Sequence, residues 1–352
     1  WLFSYGNFLV RLMEYNFPVV AALASFGGRA MGYKARSFWL AIALGLASGP
    51  AAAQTYPTQP IKIIVATAPA GLADLVARTL AQKLSEGGHA AVVENRAGAA
   101  GAVGADAAAK APPDGHTLFI GMHSTNAILP HLVADLKYDG IKDFAPITNI
   151  ATSANILVVH PAVPAASIAE LVAYAKSNPG KLTYASQGNG TSGHIVGEQF
   201  KKLAGIDIVH VPYRGAAPAI QDLVAGQVSM MFDVVPLAKP QLAAGKVRAL
   251  AVASPQRHPA VPDVPTCAEA GFPQLEGGPW FGLMAPAGTP RAVVEWLNRE
   301  AHRAFTAADV RERFLSQGVT LPLGTPEEFS AFVAAESSRW REIVRTAAIR
   351  ME

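Results

Sequence analysis

The chain has 352 residues, 51% hydrophobic and 16% charged, with 29 basic and 26 acidic side chains for a formal net charge of +3. That length is enough for two packed domains, and the lack of any basic tract or aromatic–basic stripe excludes a nucleic-acid binder. A single cysteine, Cys267, excludes an intrachain disulfide framework.

The chain begins at Trp1, and residues 1–30 are expected to lie upstream of the mature protein. Residues 31–53 read as an export signal. Met31 opens it, Lys34 and Arg36 form a basic region, and Ala51-Ala52-Ala53 supplies an A-x-A cleavage site. The apolar stretch between them is too short for a membrane span, which needs roughly 20 residues. Cleavage near Ala53 implies an exported protein, and no cysteine lies at the cleavage site to carry a lipid anchor. Residues 1–53 hold Arg11, Arg29, Lys34 and Arg36 against Glu14, so 25 basic and 25 acidic residues remain beyond them.

From there one unit recurs: a short apolar run, a loop of small residues, then a helical pattern. Residues 61–65 lead into Thr67-Ala68-Pro69-Ala70-Gly71 and a helix carrying Leu75, Val76, Leu80 and Leu84. Residues 118–122 lead into His123-Ser124-Thr125-Asn126, and 157–159 into a helix through Leu171 and Tyr174. Residues 182–186 end at Ser186, before a turn with Gly188, Gly190, Thr191, Ser192, Gly193 and His194 that opens a helix with Ile195, Val196 and Phe200. Residues 208–211 precede Pro212-Tyr213-Arg214-Gly215 and a helix around Ile220 and Leu223. The runs 228–232 and 247–253 end at Asp233 and Ser254, and 281–285 precedes a helix through Val293, Leu297 and Phe305.

Alternating strands and helices predict an α/β protein of two lobes, each a largely parallel sheet flanked by helices, with a ligand cleft between the lobes. A small polar stretch at 149–155 and a proline- and glycine-rich stretch at 255–278 mark the crossings. They assign 54–154 plus 277–352 to lobe 1 and 155–276 to lobe 2.

The glycine turn at 188–194 is the most telling loop. Glycine permits positive φ and close ligand approach, Thr191 or Ser192 is placed to cap the helix, and the open amides of a helix start favour an anion. Gly188-x-Gly190-x-x-Gly193 has the form of a dinucleotide fingerprint, but the next strand ends in Pro212-Tyr213-Arg214 rather than an acid. Gly190-Thr191-Ser192-Gly193-His194 is a near miss to a nucleophile elbow. It leaves a secreted serine hydrolase using Ser192, with His258 and Asp233 as partners, as the enzyme alternative. The nine histidines offer no metal-ligand spacing. Asp233 has two readings, ordering a neighbouring loop or selecting a ligand ammonium.

Taken in order, the segments resemble the Bug family, periplasmic substrate-binding proteins of tripartite tricarboxylate transporters. The motifs are Val93-Glu94-Asn95-Arg96-x-Gly98, Pro113-Asp114-Gly115-His116-Thr117, Tyr184-Ala185-Ser186-x-Gly188-Asn189-Gly190-Thr191-Ser192, Val209-His210-Val211-Pro212-Tyr213-Arg214-Gly215, and Trp280-Phe281-Gly282-Leu283 with Pro286-Ala287-Gly288-Thr289-Pro290. The resemblance spans Tyr56 to Glu352. It implies a two-lobed clamp that closes on a small carboxylate and hands it to a membrane permease, with no catalysis, cofactor or metal. A monomer is expected, and an accessory protein of a membrane sensor kinase is the alternative partner reading. The first loop departs from the family's Pro-Phe-x-Pro-Gly-Gly-Ser/Thr-x-x-Asp pattern, with Thr67 for the aromatic, Ala70 for one glycine, and Leu72 and Ala73 at polar positions. This predicts altered ligand choice, towards a carboxylate with an apolar body. The expected ligand contacts are Thr67, Ala70, Gly71, Ser124, Thr125 and Asn126 from one lobe. Ser186, Gly190, Thr191, Ser192, Tyr213 and Asp233 face them from the other.

Overall fold

The computed structural model describes residues 56–347; the leader at 31–53 and the segment 1–30 lie outside the described residues. The chain runs β1 (Ile61–Val65), α1 (Leu72–Glu86), β2 (Ala91–Asn95), α2 (Ala102–Ala109), β3 (Thr117–Met122), a π-helical turn (His123–Ile128), α3 (Leu129–Leu132) and β4 (Phe144–Thr152). It continues through β5 (Asn155–Val159), α4 (Ile168–Ser177), β6 (Thr183–Ser186), α5 (Ser192–Ala204), β7 (Val209–Pro212), α6 (Ala216–Val224), β8 (Met230–Val234), α7 (Val235–Ala243) and β9 (Arg248–Ala253). It closes with β10 (Trp280–Pro286), α8 (Arg291–Thr306), α9 (Ala308–Ser316) and α10 (Pro326–Ala347).

These strands form two five-stranded sheets, ordered β2-β1-β3-β10-β4 and β7-β6-β8-β5-β9. Sequence dictates their burial. In β1, Ile61, Ile63, Ile64 and Val65 are all buried, as expected of a strand covered on both faces. In α1 the buried residues Val76, Ala77, Leu80, Ala81 and Leu84 follow the helical repeat and form one stripe against the sheet.

The sheets are mixed rather than simply parallel. Four strands of each run in one direction, while β10 in the first and β5 in the second are reversed and pair antiparallel with both neighbours. The other pairings, of β1 with β2 and β3 and of β6 with β7 and β8, are parallel. The reason lies in the crossings. The forward strands β1, β3, β6, β7 and β8 end beside the cleft described below, and the chain passes between sheets at that same end. The first strand laid down after each crossing therefore runs away from it, and those strands are β5 and β10.

The two crossings are bonded to each other. Ser153 N donates to Pro279 O at 3.0 Å and Asn155 N to Gly277 O at 3.4 Å. A Cβ at Gly278 would collide with the Ser153 carbonyl oxygen, so this close approach needs glycine. Trp280 and Trp340 are buried at this junction. Helix α10 packs on the π-helical turn and β4 of the first sheet and also reaches α5 beside the second.

Candidate functional site

Loops at the forward strand ends surround a cleft of about 480 Å³ lined from both sheets. One side presents residues 67–73, Met122, His123, Ser124, Pro279 and Phe281; the other presents Gln187, Thr191, Ser192, 214–218 and the start of α7. A larger open groove of about 780 Å³, with Ile168, Leu242, Val247 and Leu250 among its lining residues, contains none of these loops.

Four helices start at the cleft: α1 after Gly71, α5 after Thr191, α6 after Gly215 and α7 after Val234, the last with its first amide donated to Ala154 O and a proline next, which leaves three open starts. None of the three has a side-chain cap. First-turn amides have no intrahelical acceptor, and each helix adds the positive end of its dipole. Three such ends around one cleft make an anion site built largely from backbone.

The first loop is braced from below. Asn95 Nδ2 donates to Thr67 O at 3.1 Å and to Asp74 Oδ1 at 2.9 Å, while Ala70 N donates to Asp74 Oδ2 at 3.1 Å. Burial opposes ionisation of Asp74, but hydrogen bonds from Arg78, Asn95 and the Ala70 amide together hold its carboxyl below the usual range. Ala70 sits at φ +69°, the left-handed region that favours glycine, which is the residue the family pattern places there. Thr67 lines the cleft, and its Oγ1 is buried without a partner in the chain.

On the opposite side, Ser192 uses both of its polar groups within the protein. Its amide donates to His123 Nε2 at 3.2 Å across the cleft, and its Oγ donates to Asn155 Oδ1 at 3.2 Å. The acceptor role puts the His123 proton on Nδ1. Burial drives the pKa of His123 down to about 3, which keeps the ring neutral and accepting. The Thr191 hydroxyl turns back to Gly188 O at 2.7 Å instead of capping α5. The amide of Gly215 is taken by Gln187 O at 3.1 Å, and α6 opens immediately after it with Ala216 and Ala217 on the lining. Arg214, exposed and next to that helix start, is the one charged side chain among the described lining residues.

Of the expected contacts, Thr67, Ala70, Gly71, Ser124, Thr191 and Ser192 line the cleft. The other six do not, because the fold uses them elsewhere. Thr125 and Asn126 are fully buried in the π-helical turn, where Thr125 Oγ1 donates to Asn126 Oδ1 at 2.7 Å and Asn126 Nδ2 to Gly140 O at 2.7 Å. Ser186 Oγ pairs with His210 Nε2 at 2.7 Å, and the Gly190 amide donates to His194 Nδ1 at 3.1 Å, which fixes the glycine turn from within. Tyr213 Oη donates to Asp222 Oδ2 at 2.6 Å. Asp233 is fully buried behind Gln187, whose Nε2 reaches its Oδ1 at 3.4 Å, and burial pushes its pKa up to about 7.

Sequence reasoning set the loops holding His123 and Gln187 at the cleft without naming either as a contact, and missed all of α7, which contributes Pro236, Leu237, Pro240 and Gln241 to the lining. Two prolines hid that helix: Pro236 lies in its first turn and Pro240 inside it. The hydrolase alternative finds no support here. Ser192 Oγ bonds to an amide oxygen, and His258 lies beside Gly318 rather than near Ser192. Among the described residues no group of three His, Cys, Asp or Glu side chains is placed to hold a metal, and no helix is long and apolar enough to cross a membrane.

Residues 74–349 match a family model described as the tripartite tricarboxylate transporter family receptor. Protein BugT of Bordetella pertussis is 36% identical over 87% of this chain and 94% of its own. A solved periplasmic transporter is 44% identical with a TM-score of 0.80, covering 84% of this chain and 100% of that one. Rpa4515 of R. palustris, solved with adipate, is 36% identical with a TM-score of 0.80, covering 84% and 99%. MatC of Rhodopseudomonas palustris, solved with bound malate, is 35% identical with a TM-score of 0.78, covering 82% and 100%.

Proposed function

The chain belongs to the tripartite tricarboxylate transporter receptor family, and we propose from that premise that its cleft captures a small carboxylate and delivers it to the permease of such a transporter. The protein is a periplasmic solute-binding protein rather than an enzyme. The observation that carries the carboxylate reading is the convergence of three open helix starts without side-chain caps on one cleft of about 480 Å³. Hydrogen bonds to a charged group contribute roughly 1.5–3 kcal/mol each, and micromolar affinity needs about 8 kcal/mol. Several first-turn amides with the Ser124 hydroxyl are a sufficient donor set.

In this reading the lobes divide as 54–154 plus 277–352 and 155–276, and hinge motion at the paired crossings opens and shuts the cleft. The His123–Ser192 bond joins the two sides in the form described. Export by the signal at 31–53, with cleavage near Ala53, delivers a monomer to the periplasm. The test is a thermal-shift screen of mono-, di- and tricarboxylates and amino acids on the purified protein. One or a few carboxylates should raise the melting temperature, since a ligand at 100 times its Kd adds about 2.7 kcal/mol. A screen in which no carboxylate does so overturns the reading. Loss of uptake of the same acid on deleting the gene tests the permease step.

A further inference from the structure

The described cleft lining carries one charged side chain, Arg214, and is otherwise neutral. The helix starts and Arg214 gather positive potential where α1, α5 and α6 begin, and Arg214 directly precedes the Gly215 cap of α6. The apolar part of the lining includes Leu237 with Pro236 and Pro240 of α7, Ile220 of α6, and Phe281 with Pro279 at the crossing. No lysine, and no acid, is among the described lining residues. Gln221 and Gln241 are the polar groups on this side, and both are uncharged.

We infer that the cleft selects a monocarboxylate with an apolar body, its carboxylate at the helix starts and its body against Leu237, Ile220 and Phe281. This rests on the carboxylate reading of the same cleft and narrows it. A second carboxylate at the far end of the ligand would be desolvated against leucine, proline and phenylalanine without a cation to meet it, and such burial is costly. An apolar tail there gains from leaving water and leaves no polar group unpaired. Leu237 is the discriminating contact: it is half-buried, in the first turn of α7, and it lines the cleft.

The experiment is calorimetric titration of the purified protein with hexanoate, adipate and malate, repeated on Leu237→Gln. Hexanoate and adipate share a six-carbon body and differ in the second carboxylate. Hexanoate should bind at least about tenfold more tightly than adipate, with malate weaker still, and Leu237→Gln should weaken hexanoate by about tenfold. Tighter binding of adipate or malate overturns this inference while leaving the carboxylate reading in place. Unchanged hexanoate affinity in a folded Leu237→Gln variant also overturns it. Binding of none of the three acids overturns this inference, while the carboxylate reading is decided by the wider thermal-shift screen. The wild-type ranking decides the question even if the variant does not fold.

Discussion

A backbone donor can be removed from the cleft without disturbing the helix that offers it. Ala216 is the first residue of α6, follows Gly215 (φ +117°, ψ 175°) and lines the cleft. Proline is tolerated at a first helical position, because the amide it lacks has no intrahelical acceptor and its φ of about −65° is already helical. The extended ψ of Gly215 also suits a residue that precedes proline. Ala216→Pro therefore deletes one hydrogen-bond donor from the anion site and little else. A hydrogen bond to a carboxylate contributes roughly 1.5–3 kcal/mol, so affinity should fall roughly 10- to 150-fold. The ligand-free protein should melt at the same temperature or slightly higher, since a compatible proline adds about 0.4–1 kcal/mol through the unfolded state. The assay is titration calorimetry with the acid that most stabilises the wild type, alongside a thermal melt without ligand. Unchanged affinity in a protein of unchanged stability would refute the claim that α6 amides hold the carboxylate.

Other outcomes follow from the same geometry. Ala70 sits at φ +69°, so Ala70→Gly should stabilise the protein by about 1 kcal/mol in denaturant unfolding, and a loss of stability would contradict the strain. Gly278→Ala drives a methyl group into the Ser153 carbonyl and should cost about 1–3 kcal/mol, read as a lower melting temperature. Burial raises Asp233 to about 7, well above an unfolded value of about 3.9. Between those values the folded state holds a proton that the unfolded state has released, so stability from this group falls as pH rises from about 4 to 7, by at most about 4 kcal/mol. His123 and His210, held down to about 3 by burial, act with the opposite sign and lose stability below about 6.5. The difference between wild type and Asp233→Asn across pH 4–8 isolates the carboxyl: the variant should gain relative stability towards pH 8. A pH-independent difference would contradict a buried acid there.

The strand–loop–helix units were legible because runs such as Ile-Lys-Ile-Ile-Val, followed by small residues and a 3.6-residue apolar repeat, carry their structure locally. The reversed strands were not. An unbroken apolar run such as Ile156-Leu157-Val158-Val159 in β5 reads the same in either direction, and its sense is set by where the chain crosses between sheets. The loops that line the cleft were visible as small polar stretches after strands. Which of their donors stay free was not, because Asn126, Ser186 and Tyr213 find partners 14, 24 and 9 residues away in sequence. That the His123 loop faces the start of α5 was legible, but the bond from the Ser192 amide, 69 residues later, to the His123 ring was not.

The most direct measurement is a crystal structure of the protein with its most stabilising carboxylate. The predicted result places the carboxylate oxygens within hydrogen-bond distance of first-turn amides of α1 and α6. A carboxylate held elsewhere, with those amides facing only solvent, would contradict the account.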